Sequence, residues 1–390
     1  MLICDEAQKI KTPAALVTRA AKAMQAEFRI ACTGTPVENT LADLWCLFDF
    51  LQPGLLDSLS QFTRKFRQSI ERREEDQQER VDALRARIRP WVLRRMKQDV
   101  ADLLPKHEQV IGLPMSALQR QLYRQVVRQF QQALEDQEQG KELQGLSLDA
   151  AEQALDGSYD KVNGKAGGKG IAALTLLHHL RMICANPVAA AGQKPDLVPV
   201  EEHLRHSPKL AWLLDTLQDI AQQGARDPDH GNKVIVFTEF LPMQRLVQRA
   251  VAERFGFRPH IVNGSTSVVA GRDDSRQALI DAFQQAPGFG VIVLSTVAVG
   301  FGVNIQGANH VIHFTRPWNP AKEDQATDRA YRIGQTRAVH VYYPTIVGEG
   351  FESFEERVAT RLAGKRALSA DMLSPEQSLT ADDFLGLEGG

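Results

Sequence analysis

Between residues 233 and 343 short apolar runs and helical stretches take turns, and this alternation constrains the fold more than any other feature of the sequence. The runs are residues 234–237, 260–262, 291–294, 311–314 and 339–343. They are mostly continuous rather than alternating in polarity, as strands buried on both faces are. Helical patterns over residues 242–255, 272–284 and 321–332 separate them. Parallel strands need crossovers of this kind. The spacing therefore predicts a parallel sheet covered on both faces, with ligands at the carboxyl ends of its strands.

The start of the chain carries a smaller piece of the same pattern. Leu2-Ile3-Cys4 runs into Asp5-Glu6-Ala7-Gln8, Thr12-Pro13 resembles an N-cap with proline at the first helical position, and residues 28–32 form a second apolar run. That run ends in Thr33-Gly34-Thr35-Pro36. Asn39 is a candidate cap for a helix with Leu41, Leu44, Trp45, Leu47 and Phe48 on its apolar side. The first strand is short, as if the chain began inside a domain. Residues 61–98 read as helical and basic, with twelve Arg or Lys against six acids, and a further helix spans about 116–138. Glycines and lysines crowd residues 157–170, which reads as a flexible insertion. Residues 174–184 return to a helical pattern, and 187–199 form a linker.

The net charge of −2 excludes a uniformly basic protein but not local basic patches. No run approaches the ~20 apolar residues that span a bilayer. Cys4, Cys32, Cys46 and Cys184 show no CxxC spacing, so the sequence suggests neither a zinc site nor a disulfide framework. A reducing, cytoplasmic setting is expected.

Several strand ends carry groups suited to phosphate chemistry. Asp5 and Glu6 could hold Mg²⁺ and orient a water, although an Asp-Glu pair after a strand is also a common surface feature. In residues 324–335, DQATDRAYRIGQ, a helix would place Gln325, Arg329 and Arg332 on one face and let Gly334 end it. Two guanidiniums there can bridge phosphate oxygens, or sit in salt bridges on a solvated face. Ser295 and Thr296 follow a strand and precede Gly300-x-Gly302, where backbone can approach a phosphate closely. Asn263-Gly264-Ser265-Thr266 suits the phosphates of a nucleic acid, or a plain turn. The phosphate cradle GxxxxGK[ST] occurs nowhere in the 390 residues.

In this order the segments resemble the Swi/Snf family of DNA-translocating ATPases in helicase superfamily two. Asp5-Glu6-Ala7-Gln8 is similar to its Walker B motif, and Thr33 to Asn39 with Leu44-Trp45 to motif III. Leu93-Arg94-Arg95-Met96-Lys97 with Leu104-Pro105-Lys106 resembles a segment between the lobes. Residues 233–240 resemble motif IV. Gly264-Ser265-Thr266 with Arg276 and Phe283 resembles the next family signature. Residues 295–304 with Trp318-Asn319-Pro320 resemble motif V and its extension, and residues 324–335 motif VI. Val297 and Val299 depart from the family pattern.

The resemblance implies an α/β fold: a truncated RecA-like lobe 1 remnant (residues 1–58), a helical protrusion and linker region (59–206), a complete RecA-like lobe 2 with a parallel sheet (207–366) and an acidic tail (367–390). It implies ATP and Mg²⁺ as cofactors, ATP lying between the lobes, and duplex DNA as partner, with a missing N-terminal half or a DNA-bound protein complex as further candidates. Asp5 would hold the metal and Glu6 would polarise water, while Arg329 and Arg332 would reach the γ-phosphate. Gln8, Thr33, Thr35, Gly300, Gly302 and Gln325 would serve the nucleotide. Arg94, Arg95, Lys97, Ser265, Thr266, Ser295, Thr296 and Trp318 would contact DNA. The expected activity is that of the C-terminal portion of a duplex-DNA translocase, inactive in hydrolysis without a Walker A half. The alternative is a non-hydrolytic nucleic-acid-binding or regulatory protein.

Overall fold

The computed structural model describes residues 1–34, 41–71, 77–95, 103–135, 169–191, 195–225, 231–269, 272–299, 302–317 and 319–369. The chain folds as two units, one centred on residues 1–96 and the other on residues 97–360.

In the first unit β1 (Leu2–Cys4) and β2 (Arg29–Ala31) pair in parallel, Ile3 opposite Ile30. A 3-10 turn over Ala7–Ile10 and the helix α1 (Leu16–Ala23) connect them. Thr12 does not cap this helix. Its carbonyl accepts the Ala15 N–H (3.1 Å) in a turn around Pro13, and the helix begins after Ala15 without a side-chain cap. Proline presets the backbone of that turn, which closes before the helix can start. Helix α2 (Leu41–Leu51) is apolar almost all round, so it needs cover on more than one side. Leu47 and Phe50 pack with Ala7 and Ile10, whereas Leu41, Leu44 and Phe48 pack with Phe62, Phe66 and Leu84. Asn39 lies outside the described residues.

The basic stretch is less continuous than its composition suggests. Helical turns at Leu59–Phe62, Thr63–Arg67 and Gln68–Glu71 precede α3 (Gln77–Ile88). Pro90 supplies no N–H and disfavours helical backbone in Arg89 before it, so α3 gives way to a 3-10 turn over Arg89–Trp91. Arg94 and Arg95 are exposed and non-helical.

In the second unit α4 (Ala117–Glu135) and α5 (Lys169–Ala185) are tied by Gln119, wholly buried, whose Nε2 donates to the carbonyls of Ile183 (3.0 Å) and Cys184 (3.2 Å). All but the end of the Gly-Lys stretch 157–170, and the acidic tail from residue 370, lie outside the described residues. The sheet has six parallel strands: β3 (Lys106–Pro114), β4 (Lys233–Phe237), β5 (His260–Val262), β6 (Gly290–Leu294), β7 (His310–His313) and β8 (Val339–Val347). Their spatial order is β3-β8-β7-β4-β6-β5.

Every residue of β4 and β6 is buried, which accounts for their unbroken apolar runs. Val234, Val236, Val291 and Val293 face α6 (Pro208–Gly224) and α7 (Leu241–Phe255). Ile235, Phe237, Ile292 and Leu294 pack with Ile280 and Phe283 of α8 (Arg276–Gln285) and Ala326 of α9 (Pro320–Thr327). Each such side chain contributes roughly 1.5–3 kcal/mol on burial.

In the second unit further elements differ from the sequence expectation, and the expected linker 187–199 contains a helical turn, Pro187–Ala190, capped by Asn186. β3 falls where helix and linker were expected. Its first five residues are exposed and mostly polar, so they show neither an apolar run nor alternation. Helix α8 begins four residues later than residue 272, where Ser275 accepts the Ala278 N–H (3.3 Å) as N-cap. Helix α9 stops at Thr327 rather than at Arg332. No helix among the described residues is long and apolar enough to cross a membrane.

Candidate functional site

In the first unit the candidate groups gather where β1 and β2 end. The Ala7 N–H donates to the Cys32 carbonyl (2.9 Å), which turns the chain sharply after the strand. Glu6 takes up the bend in left-handed backbone, φ 50° and ψ 49°. That conformation costs a residue with a Cβ on the order of 1 kcal/mol and is concentrated at functional sites. The Glu6 N–H donates to Asp5 Oδ1 (2.9 Å), and the Asp5 side chain is exposed.

A relay leaves Glu6. Gln8 Nε2 donates to Glu6 Oε2 (2.5 Å), and Thr33 Oγ1 donates to Gln8 Oε1 (2.8 Å). The order is chemically forced. A carboxylate only accepts, so the amide turns its nitrogen toward Glu6, and its oxygen is left to accept from the Thr33 hydroxyl. The structure thus brings together Glu6, Gln8 and Thr33, with Asp5 adjacent. Thr35 and Lys97 lie outside the described residues. Arg95 Nη1 donates to the Arg94 carbonyl (2.9 Å).

In the second unit four consecutive strand ends join into one polar ledge. Thr315 Oγ1, after β7, donates to Thr238 Oγ1, after β4 (3.1 Å). Gln244 of α7 donates from Nε2 to the Thr238 carbonyl (2.9 Å) and accepts from Asn263 Nδ2 (2.8 Å). Asn263 Oδ1 accepts the N–H (3.0 Å) and the hydroxyl (2.7 Å) of Ser265. The Asn263 N–H donates to Thr266 Oγ1 (3.0 Å). Arg276 donates to the carbonyls of Thr266 (3.1 Å) and Gly264 (3.3 Å), holding that loop from below.

Ser265 is exposed and Thr266 half-buried, whereas Ser295 and Thr296 are buried. Ser295 Oγ accepts the Ala298 N–H (3.2 Å). Both donors of Thr296, its N–H (2.8 Å) and its hydroxyl (2.6 Å), point at Glu239 Oε1. Glu239 and Gln244 were not singled out from the sequence, and Asn263, read there as part of a phosphate-binding or turn segment, here links Gln244 to Ser265 and Thr266. Their positions just after strands β4 and β5 and in the helix that follows were the available signal.

The arginine segment departs from expectation. Gln325 lies on α9, which Asn319 caps by accepting the Ala321 N–H (2.8 Å). Arg329 and Arg332 lie beyond the helix end. The backbone tightens there: the N–H groups of Arg329 and Ala330 reach back three residues, to Ala326 (3.2 Å) and Thr327 (3.0 Å). The Arg329 carbonyl accepts the Ile305 N–H (2.9 Å), so it belongs to a loop contact and not to a helix. The three side chains therefore do not form one helical face. Arg332 Nη1 donates to Asn304 Oδ1. Gly334 has φ 95°, as its glycine suggested, and Gly302 has φ 76°. Gly300 and Trp318 lie outside the described residues.

Residues 1–189 match the SNF2-related domain and residues 209–334 the helicase conserved C-terminal domain. The chain belongs to the SNF2 family. It is 49% identical over 388 residues to the Zorya protein ZorD of Escherichia coli, covering 98% of this chain and 32% of that protein. It is 33% identical over 383 residues to a putative ATP-dependent helicase/translocase, YwqA, of Bacillus subtilis, covering 97% of this chain and 36% of that one. This SNF2-family chain thus spans about a third of the length of these curated relatives. A solved SWI2/SNF2 ATPase core domain from Sulfolobus solfataricus is 29% identical, with TM-score 0.50, covering 100% of this chain and 71% of that one.

Proposed function

We propose that this chain carries the metal, water and arginine groups of an ATP-driven duplex-DNA translocase, and that its 390 residues do not hydrolyse ATP by themselves. The observation that carries the reading is the Glu6–Gln8–Thr33 relay. Gln8 orients one oxygen of the Glu6 carboxylate, the group that would accept a proton from water. Thr33, at the end of β2, is linked to that carboxylate through one amide, so movement of either strand end re-aims the base.

Mg²⁺ fits the donor set at Asp5. A hard, octahedral ion takes one or two carboxylates and completes its shell with water and phosphate oxygens. When bound it would supply charge stabilisation at the phosphates. Arg329 and Arg332 would take phosphate oxygens, Thr33 and Thr35 would sense the nucleotide, and Gln325 with the Gly300 and Gly302 backbone would assist. Arg94, Arg95, Lys97, Ser265, Thr266 and Trp318 would meet the DNA backbone largely without regard to sequence. Ser295 and Thr296 would join them after Thr296 leaves Glu239. The alternative reading is a nucleic-acid-binding or regulatory protein that does not hydrolyse ATP.

The test is ATP hydrolysis by the purified chain, with and without duplex DNA, beside Arg332→Ala, and DNA binding as a function of salt. The expected result is no hydrolysis and salt-sensitive DNA binding. DNA-stimulated hydrolysis lost in Arg332→Ala would overturn the inactive part. Failure to bind duplex would remove the translocase reading.

A further inference from the structure

Residues 328–335 hold both arginines, yet no regular element holds residues 328–335. Side-chain amides do so instead. Gln335 Nε2 donates toward three backbone carbonyls: Ala308 (2.8 Å), Gln306 (3.0 Å) and Ala330 (3.1 Å). Its Oε1 accepts the Arg337 N–H (3.1 Å). Gln306 answers from the other side, donating from Nε2 to the Ile333 carbonyl (2.7 Å). Two backbone bonds complete the set, Ile305 N–H to the Arg329 carbonyl (2.9 Å) and Gln335 N–H to the Arg332 carbonyl (3.0 Å). A Cβ on Gly334 would come within 3.1 Å of Gln306 Nε2, so glycine allows the segment to lie this close to 304–308.

The chemistry of this arrangement is specific. An NH₂ group has two hydrogens, and here they are shared among carbonyls from two separate stretches, 306–308 and 330. These acceptors are main chain, so they cannot turn away without moving the segment itself. The Arg332 guanidinium rests on Asn304 Oδ1, a neutral acceptor from the same neighbouring stretch. Unlike a carboxylate, an amide oxygen holds the guanidinium without cancelling its charge.

We propose that Gln335 is a positioning residue for Arg329 and Arg332. It staples the arginine segment to residues 304–308, with Gln306 and Asn304 as its counterparts, so that two flexible cations are presented from a fixed backbone. The proposal rests on the reading of these arginines as phosphate-binding groups, and it deepens that reading. Catalytic and binding groups work when held within about 0.5 Å of their productive placement, and a loop achieves this only with such supports.

The test uses the full chain and three variants: Gln335→Ala, Gln335→Met, which keeps bulk without donors, and Gln335→Glu, which keeps an acceptor for Arg337 but turns oxygen toward the carbonyls. Labelling of each arginine by phenylglyoxal is followed by mass spectrometry, with Arg254 on α7 as internal reference, beside amide hydrogen exchange in β4. The expected result is labelling of Arg329 and Arg332 about three- to tenfold faster in all three variants, with Arg254 and β4 unchanged. Unchanged rates at both arginines would overturn the proposal. So would wild-type behaviour of Gln335→Met, which would assign the role to packing, or a parallel rise in β4 exchange, which would make the effect general. Tripolyphosphate added to the wild-type chain separates the two claims. If it fails to protect Arg332, the phosphate reading falls while the positioning result stands on the labelling rates.

Discussion

Removing the carboxylate of Glu323 tests how α9 is anchored to the sheet. Glu323 is wholly buried and accepts a bidentate pair from Arg316, Nε to Oε2 at 2.7 Å and Nη2 to Oε1 at 2.8 Å. The Arg316 side chain is 10% exposed and lies over the Tyr343 ring, 4.4 Å from its centroid. Its carbonyl accepts from Arg181 Nη2 (3.1 Å). An exposed ion pair would contribute at most about 1 kcal/mol. Stranding one charge of a buried pair costs about 3–5 kcal/mol. Because Arg316 keeps a little access to water, the lower end applies, and Glu323→Ala should destabilise the second unit by about 3 kcal/mol. Amide exchange in β4 and β7 should then quicken on the order of a hundredfold, since each 1.36 kcal/mol is tenfold. Arg316→Met with Glu323→Leu should recover most of the loss, because neither charge is then stranded. A loss below about 1 kcal/mol, or a double variant no better than Glu323→Ala, would refute the reasoning.

Two further expectations concern charge. Glu239→Gln should weaken the hold on Thr296 and remove a negative charge from the ledge. Duplex affinity, read by fluorescence anisotropy near 0.1 M salt, should rise about two- to tenfold, and a fall would mean that Thr296 does not face the phosphates. Burial, helped by neighbouring His340 and Arg337, holds His310 down to about 3 from the ordinary 6.5. The unfolded chain therefore takes up this proton through 6.5 while the fold refuses it until about 3, and stability falls with pH across that window. His310→Phe keeps the stacking area and should make the acid limb of the urea midpoint shallower. An unchanged limb would show that His310 protonates inside the fold.

The inner strands were legible because burial on both faces leaves only apolar residues, as in β4 and β6. The outer strand β3 was not, because one side of it meets water and Lys106 to Gln109 look like a loop. The positions of Asp5, Glu6, Gln8 and Thr33 could be read from short apolar runs ending in polar residues. Their connection could not, since a hydrogen bond between residues 25 apart leaves no local pattern. The arginine segment misled for a different reason. Its composition suits a helix through Arg332, whereas past Thr327 the Arg329 and Ala330 N–H groups bond three residues back and the Arg329 carbonyl is taken by the Ile305 N–H, a partner from another loop. Gln335 was visible only as part of a motif ending, and its use emerges when residues 306 and 308 are seen beside it.

The position of β3 also orders events at the ribosome. Tyr343 on β8 donates to Glu108 on β3 across 235 positions. At roughly 5–20 residues per second, β3 would wait on the order of 10–50 s for its neighbour to be synthesised. Closure of that side of the sheet thus waits for β8, and nascent chains stalled before residue 339 should be the ones that chaperones retain.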